Sequence, residues 1–154
     1  MTASVLNALG GVLIFVIGQI ILKLIIEPVQ ELKKILGDTD HILLIHQAKL
    51  TNAVSDEKIV TELKLKSSEI ISKSDVVPCY AFIHILFGLP SRKNILEASK
   101  NLNQLSYGMR KEAKQFQESA SYNARRKDFA IENTEAVEEI GRLLQIKTTY
   151  QDFK

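Results

Sequence analysis

The feature that most constrains this chain is an apolar run near its N-terminus, from Leu6 to Ile26. The run has 21 residues, and its only strongly polar members are Asn7, Gln19 and Lys23. As an α-helix it is about 31 Å long at about 1.5 Å per residue, which matches the hydrocarbon thickness of a bilayer. We therefore predict a transmembrane anchor helix over residues 1–27.

Two alternatives to a retained anchor are a cleaved signal peptide and a buried core helix. A signal peptide normally has a charged start and a small-residue cleavage site. Residues 1–7 carry no Lys or Arg, and no such site follows the run. A core helix rarely needs so long an apolar stretch. Because Lys23, Lys33 and Lys34 lie on the C-terminal side of the run, the positive-inside rule places the N-terminus outside and residues 28–154 in the cytoplasm.

The polar residue inside the apolar run is Gln19, whose amide is costly in hydrocarbon without a hydrogen-bonding partner. Helical spacing puts Phe15, Gln19 and Lys23 on one face, with Gly11 and Gly18 on an adjacent one. A homo-oligomer would pair Gln19 with its copies, let the glycines bring backbones together and place Lys23 near a pore mouth. A passive anchor, in which Gln19 and Lys23 reach the interface, is the alternative.

The rest of the chain is predicted to be an all-α cytosolic bundle. Glycine (7), proline (3) and aromatic residues (6%) are scarce, which disfavours turn-rich β folds. Pro28 should kink or end the spanning helix near Glu27. Residues 28–37 form an amphipathic juxtamembrane segment, with Gly37 as a plausible helix stop.

Five further helices are predicted after Gly37. The first would be capped by Asp38–Asp40 and run from His41 towards Ala53, and the second would span residues 57–73. A third, of about ten residues after Pro78, is too short to cross a membrane and is interpreted as a core helix, with a re-entrant segment as a minor alternative. Ser91 would cap the next helix. Its apolar stripe is Ile95, Ala98, Leu102, Leu105 and Met109, and that of the last helix is Phe129, Val137, Ile140, Leu143, Leu144 and Ile146.

No motif predicts catalysis, a metal site or a cofactor. Cys79 is the single cysteine, and His41 and His46 are five residues apart, which turns them off a common helical face. The chain contains no nucleophile elbow, phosphate-binding loop or zinc-protease motif. We therefore predict that the protein is not an enzyme, and a hidden hydrolase is disfavoured.

Charge is concentrated in one cytosolic segment. Residues 91–127 have a net charge of +6, and residues 128–154 a net charge of −3. Aromatic side chains lie among the basic ones and could stack on bases while the cations contact phosphate. The candidate ligand-binding residues are Arg92, Lys93, Tyr107, Arg110, Lys111, Tyr122, Arg125, Arg126 and Lys127. The alternative is a solvated basic face, or one that pairs with the acidic tail of the same or a neighbouring subunit.

Two blocks of sequence resemble a family of small bacterial single-pass membrane proteins. They are Gly18-Gln-Ile-Ile-Leu-Lys-Leu-Ile-Ile-Glu-Pro-Val-Gln-Glu31 and Leu89-Pro-Ser91 with the downstream Ile95-Leu-Glu-Ala-Ser99, Leu102, Leu105 and Ser106. The layout is similar to that of the Hailong-type channel effectors of anti-phage defence. The resemblance implies a channel-forming oligomer in the inner membrane, held closed by a DNA oligomer that a partner nucleotidyltransferase makes. The chain departs from the family pattern at Tyr107 and at Asp38–Asp40.

Overall fold

The computed structural model describes residues 2–52, 54, 56–115 and 122–148, with side chains given outside 2–6, 110–115 and 122–127. Within these ranges every regular element is helical and no strand occurs, as predicted. The elements in order are α1 (Thr2–Ile21), a π-helical segment (Leu22–Ile26), α2 (Glu27–Ile45), α3 (Gln47–Thr51), α4 (Glu57–Val76), α5 (Tyr80–Phe87), α6 (Arg92–Gln115) and α7 (Tyr122–Leu144).

One helix runs without interruption from the apolar N-terminal segment into the bundle. It covers Asn7–Ile45, 39 residues, and is long and apolar enough to cross a membrane, a criterion that a signal sequence also meets. The sequence predicts that Pro28 kinks or ends the helix near Glu27, and of these two alternatives an end is wrong. Pro28 lies in the first turn of α2, and the preceding π-helical segment shifts the pairing so that the Glu27 N–H donates to the Leu22 carbonyl. A π turn and a first-turn position both accommodate a residue that cannot donate.

The predicted helix stop at Gly37 and the cap at Asp38–Asp40 are also wrong. Both lie inside α2, which continues to Ile45 and ends at His46, where the backbone leaves the helical region. Burial explains the continuation. The buried face of α2 contains Val29, Leu32, Leu36, Thr39 and Leu43. Because this face packs along the whole bundle, its burial outweighs the local stop signals between Gly37 and Asp40.

Antiparallel packing of α2, α4, α6 and α7 forms the core. Lys73 Nζ lies 2.6 Å from Glu31 Oε2, and Lys66 Nζ lies 3.7 Å from Asp38 Oδ2, so α4 runs back along α2 towards the N-terminal helix. The Ser67 hydroxyl donates to the Ser99 carbonyl over 2.8 Å and sets the register of α4 against α6. The predicted stripe of α6, Ile95 to Met109, is buried.

The ends of the middle helices differ in part from expectation. Asp56 caps α4 through its side chain, which accepts a hydrogen bond from the Lys58 N–H, but the helix extends beyond residue 73 to Val76. The α5 helix starts only after Pro78, at Tyr80, and the residue before it, Cys79, adopts a left-handed φ of 46°. Its interpretation as a core helix is wrong for one face, because only Tyr80 and Ile83 of its eight residues are buried.

The last helix ends in a close turn. Gln145 adopts a left-handed φ of 58°, and the Ile146 N–H donates to the Gly141 carbonyl over 3.1 Å, the pattern of a Schellman cap. The chain then folds back onto α7, so that a Cβ at Gly141 would come within 2.7 Å of the Thr148 hydroxyl oxygen. A glycine at this position therefore permits the turn to close.

Candidate functional site

The α1 helix carries its apolar side chains on the outside of the protein. Phe15 is 65% exposed and Ile14 is 74% exposed. None of the most apolar window of the Asn7–Ile45 helix is buried. Folded soluble monomers rarely expose an apolar patch of this length, and larger patches mark contact with a membrane or another protein.

A shallow depression, open to the outside, lies along one face of this helix, and we call it the Gln19 groove. Its volume is about 530 Å³, and it is lined by Phe15, Val16, Gln19, Ile20, Lys23 and Leu24. The structure thus brings together three of the predicted pore-facing residues. Gly11 and Gly18 do not line the groove, and nothing lies within 4 Å of a Cβ added to either one. Their faces are open to the close approach of another helix.

Lys23 occupies the π-helical segment at the C-terminal end of this groove. Four residues later Glu27 begins α2, and from Val29 onwards the helix has a buried face. The π-helical segment therefore separates the exposed part of the helix from the part that packs in the bundle. Single π turns are rare and often occur at functional positions.

A second cavity lies between α4, α6 and α7, and we call it the distal cavity. Its volume is about 460 Å³, and it is lined by Lys64, Asn103, Gln104, Tyr107, Gly108 and Phe129. One predicted ligand-binding residue, Tyr107, is among them and is 63% exposed. Its ring, a lysine and two side-chain amides offer stacking, charge and hydrogen bonding to a planar polar ligand.

Arg92 and Lys93 lie at the opposite end of α6 from the distal cavity. Arg92 and Tyr107 are 15 residues apart in one helix, which corresponds to about 22 Å. Arg92 already has partners, because its guanidinium lies 3.3 Å from Asp75 Oδ1 and 5.3 Å from the centre of the Tyr80 ring. The structure therefore does not bring these two cations together with Tyr107.

The remaining candidate ligand-binding residues lie outside the described side chains: Arg110, Lys111, Tyr122, Arg125, Arg126 and Lys127. Their backbones belong to the later turns of α6 and the first turns of α7. The two helices pack together near the distal cavity, since a Cβ added to Gly108 would lie 4.0 Å from Asn133 Oδ1. The six candidate residues therefore lie beyond the distal cavity, towards the ends of α6 and α7 that are farthest from α1.

Sequence patterns missed three residues of the distal cavity, Lys64, Asn103 and Gln104. Each has an ordinary polar side chain on the exposed side of an amphipathic helix, and only the pairing of α4 with α6 brings them together. No periodicity in the sequence encodes that pairing.

The histidine and acidic side chains in the described part of the chain make structural contacts. No group of three or more His, Cys, Asp or Glu side chains that could hold a metal occurs in the described part of the chain. His84 Nδ1 lies 3.0 Å from the Tyr80 carbonyl oxygen, and its ring stacks on the Tyr80 ring. Burial raises the pKa of Tyr80 to about 12, and the charge of Arg92 acts in the opposite direction. Tyr80 therefore stays neutral at physiological pH and donates to the Pro90 carbonyl over 2.8 Å.

Comparison with known proteins identified no relatives. No family model, no curated protein and no solved structure matches this chain.

Proposed function

We propose that this protein is a homo-oligomeric membrane effector whose N-terminal helices form an ion channel or a membrane-disrupting pore. A nucleotide or single-stranded oligonucleotide bound to the cytosolic bundle would gate it. The resemblance in sequence extends the proposal to bacterial anti-phage defence, with a partner nucleotidyltransferase as the source of the ligand. The membrane would be the inner membrane, with the N-terminus outside.

The observation that carries the proposal is the position of Gln19 in a groove on an otherwise apolar and unpacked helix. An amide in hydrocarbon is costly without hydrogen-bonding partners, and the described residues that line the groove with Gln19 all belong to the same stretch of helix. Copies of the same helix around a symmetry axis would supply them. Lys23, one turn further on in the same groove, would then form a ring of charge at the cytosolic mouth.

The continuity of the helix gives the bundle a way to act on the pore. Val29, Leu32 and Leu36 are fixed in the core, and the same helix carries Gln19 outside it. Any rotation of the bundle that a ligand stabilises would therefore turn or tilt α1, with the π-helical segment as the weakest point between them.

A passive tether is the second candidate function. Its support is that Lys23 lies near the cytosolic end of the apolar segment, where a lysine can extend its ammonium to the headgroups. In that case α1 would only hold the bundle at the membrane, and the bundle would recruit a cytosolic partner.

Conductance of the purified full-length protein in planar bilayers separates the two functions. We expect discrete channel currents from the wild type and a reduced or altered conductance for Gln19→Leu. The control is Gln30→Leu, which makes the same chemical change at an exposed position of α2 and should conduct like the wild type. Wild-type protein that inserts without current, and remains monomeric in detergent, would refute the pore and favour the tether.

A further inference from the structure

The α5 helix leaves a second apolar surface exposed, separate from α1. Phe82, Ile85 and Leu86 are 69%, 74% and 64% exposed. Their spacing of three and one puts them on one helical face, opposite the buried side chains of Tyr80 and Ile83. Three large apolar side chains in one turn of helix form a compact patch, which we call the α5 patch.

The packing of α4 against α2 fixes the position of the α5 patch along the long axis of the bundle. The contact of Lys73 with Glu31 puts those two residues at one level. Val76, the end of α4, is three residues beyond Lys73, or about 5 Å nearer to α1. Since α2 and α4 are antiparallel, this level corresponds to Pro28, two residues after the apolar segment ends at Ile26.

The direction of α5 then follows from the break at Val77–Cys79. The axes of α4 and α5 differ by 107°, so α5 crosses the end of the bundle instead of continuing along it. Its buried face holds the Tyr80 hydroxyl against the Pro90 carbonyl, on the bundle side. The α5 patch therefore faces away from the bundle, at the end from which α1 emerges.

We infer that α5 lies on the membrane surface and inserts Phe82, Ile85 and Leu86 into the headgroup boundary of the same bilayer that α1 enters. This inference rests on the proposed insertion of α1. It commits to lipid because the patch is level with the C-terminal end of the apolar segment, near Pro28, and lies across the bundle axis. Interfacial helices bury their apolar face about 5–10 Å into the boundary between headgroups and acyl chains.

The charges near α5 favour this shallow position over a re-entrant one. Asp75 and Arg92 lie on either side of α5 in sequence and contact each other at 3.3 Å, and both are more than half exposed. Lys93 is exposed at the same end of α6. Charged groups at this level belong among headgroups and water, since a deeper position would place them in hydrocarbon.

Site-directed spin labels on the full-length protein in liposomes test the inference. In a Cys79→Ser background, a label is placed at Leu86→Cys in α5, at Leu65→Cys in α4 and at Phe15→Cys in α1. Leu65 is a matched control, because it is an exposed leucine (54%) about 16 Å further from α1 than Val76. Collision with oxygen, relative to collision with a water-soluble nickel complex, reports the depth of each label.

We expect a deep position for the Phe15 label, a shallow lipid position for the Leu86 label and full water exposure for the Leu65 label. A deep Phe15 label with Leu86 as wet as Leu65 would overturn the inference and leave the membrane span intact. Water exposure at all three sites would overturn both proposals together. A Leu86 label as deep as Phe15 would instead indicate a re-entrant helix. Spin–spin broadening between Leu86 labels without lipid contact would indicate packing against another copy. Either of these last two results would also overturn the surface position.

Discussion

The substitution Gly37→Ala distinguishes a helix that ends at Gly37 from a helix that continues through it, because the two cases predict opposite effects on stability. If Gly37 ended a helix in the left-handed conformation, a Cβ would be strained there, at a cost of about 1–2 kcal/mol. In the structure Gly37 lies inside α2, and nothing is within 4 Å of an added Cβ. Alanine is then favoured over glycine by about 0.5–1 kcal/mol in the free energy of unfolding.

Gly88 is the matched control, because it shares the open surroundings of Gly37 but has a left-handed backbone conformation. It too has open space around an added Cβ, but its φ is +62°. It ends α5, and its N–H donates to the His84 carbonyl. Gly88→Ala should therefore destabilise by about 1–2 kcal/mol, with no steric contribution from neighbours.

Thermal unfolding of the full chain in detergent, followed by helical circular dichroism, measures both changes. At about 2–4 °C per kcal/mol for a chain of this size, Gly37→Ala should raise the Tm by about 1–4 °C and Gly88→Ala should lower it by about 2–8 °C. A lower Tm for Gly37→Ala would refute the continuous α2 helix. An unchanged Tm for Gly88→Ala would refute the reasoning that a positive φ makes alanine unfavourable at this position.

Two more predictions concern Tyr80 and the distal basic residues. The folded pKa of Tyr80, about 12, exceeds its ordinary value of 10.0. The folded state therefore holds this proton more tightly, and its stabilising effect is complete below pH 10 and is lost as the pH rises from 10 to 12. The Tm of the wild type should fall more steeply over that range than the Tm of Tyr80→Phe, and parallel falls would contradict the assignment. Separately, Arg125→Glu combined with Arg126→Glu should weaken the binding of a fluorescein-labelled short single-stranded DNA and flatten its salt dependence, measured by fluorescence anisotropy. Equal affinity at low salt would move the ligand site elsewhere, and Tyr107→Ala tests the distal cavity in the same assay.

The sequence predicted those helices whose apolar residues recur at helical spacing and whose starts carry cap signals. The stripe from Ile95 to Met109 and the start of a helix at residue 57 were both confirmed, because periodicity and cap signals are local and encode the helix directly. The error at Gly37, and the continuation of the helix through Pro28, have the opposite cause. Local stop signals are worth about 1–3 kcal/mol each, and burial of four apolar side chains along α2 contributes more than that.

The exposed face of α5 and the distal cavity could not be predicted for a different reason. Both depend on which helices are neighbours, and neither periodicity nor capping carries that information. The apolar residues from Tyr80 to Phe87 are typical of a core helix by composition. Only the turn after Val76, with its axis change of 107°, directs Phe82, Ile85 and Leu86 away from the core.

The two exposed apolar surfaces have a common explanation in the proposed membrane contact. The α1 helix and the α5 patch are separated by more than fifty residues in sequence, and the register of α4 against α2 puts them at one end of the bundle. The Lys73–Glu31 ion pair that marks this register is largely exposed and contributes little to stability, so the buried stripes must set it. A chain that needed only a tether could have left α5 polar at no cost to its core. The exposed apolar side chains on α5 therefore favour a bundle that is held against the bilayer in one orientation, which a ligand-gated pore requires and a tether does not.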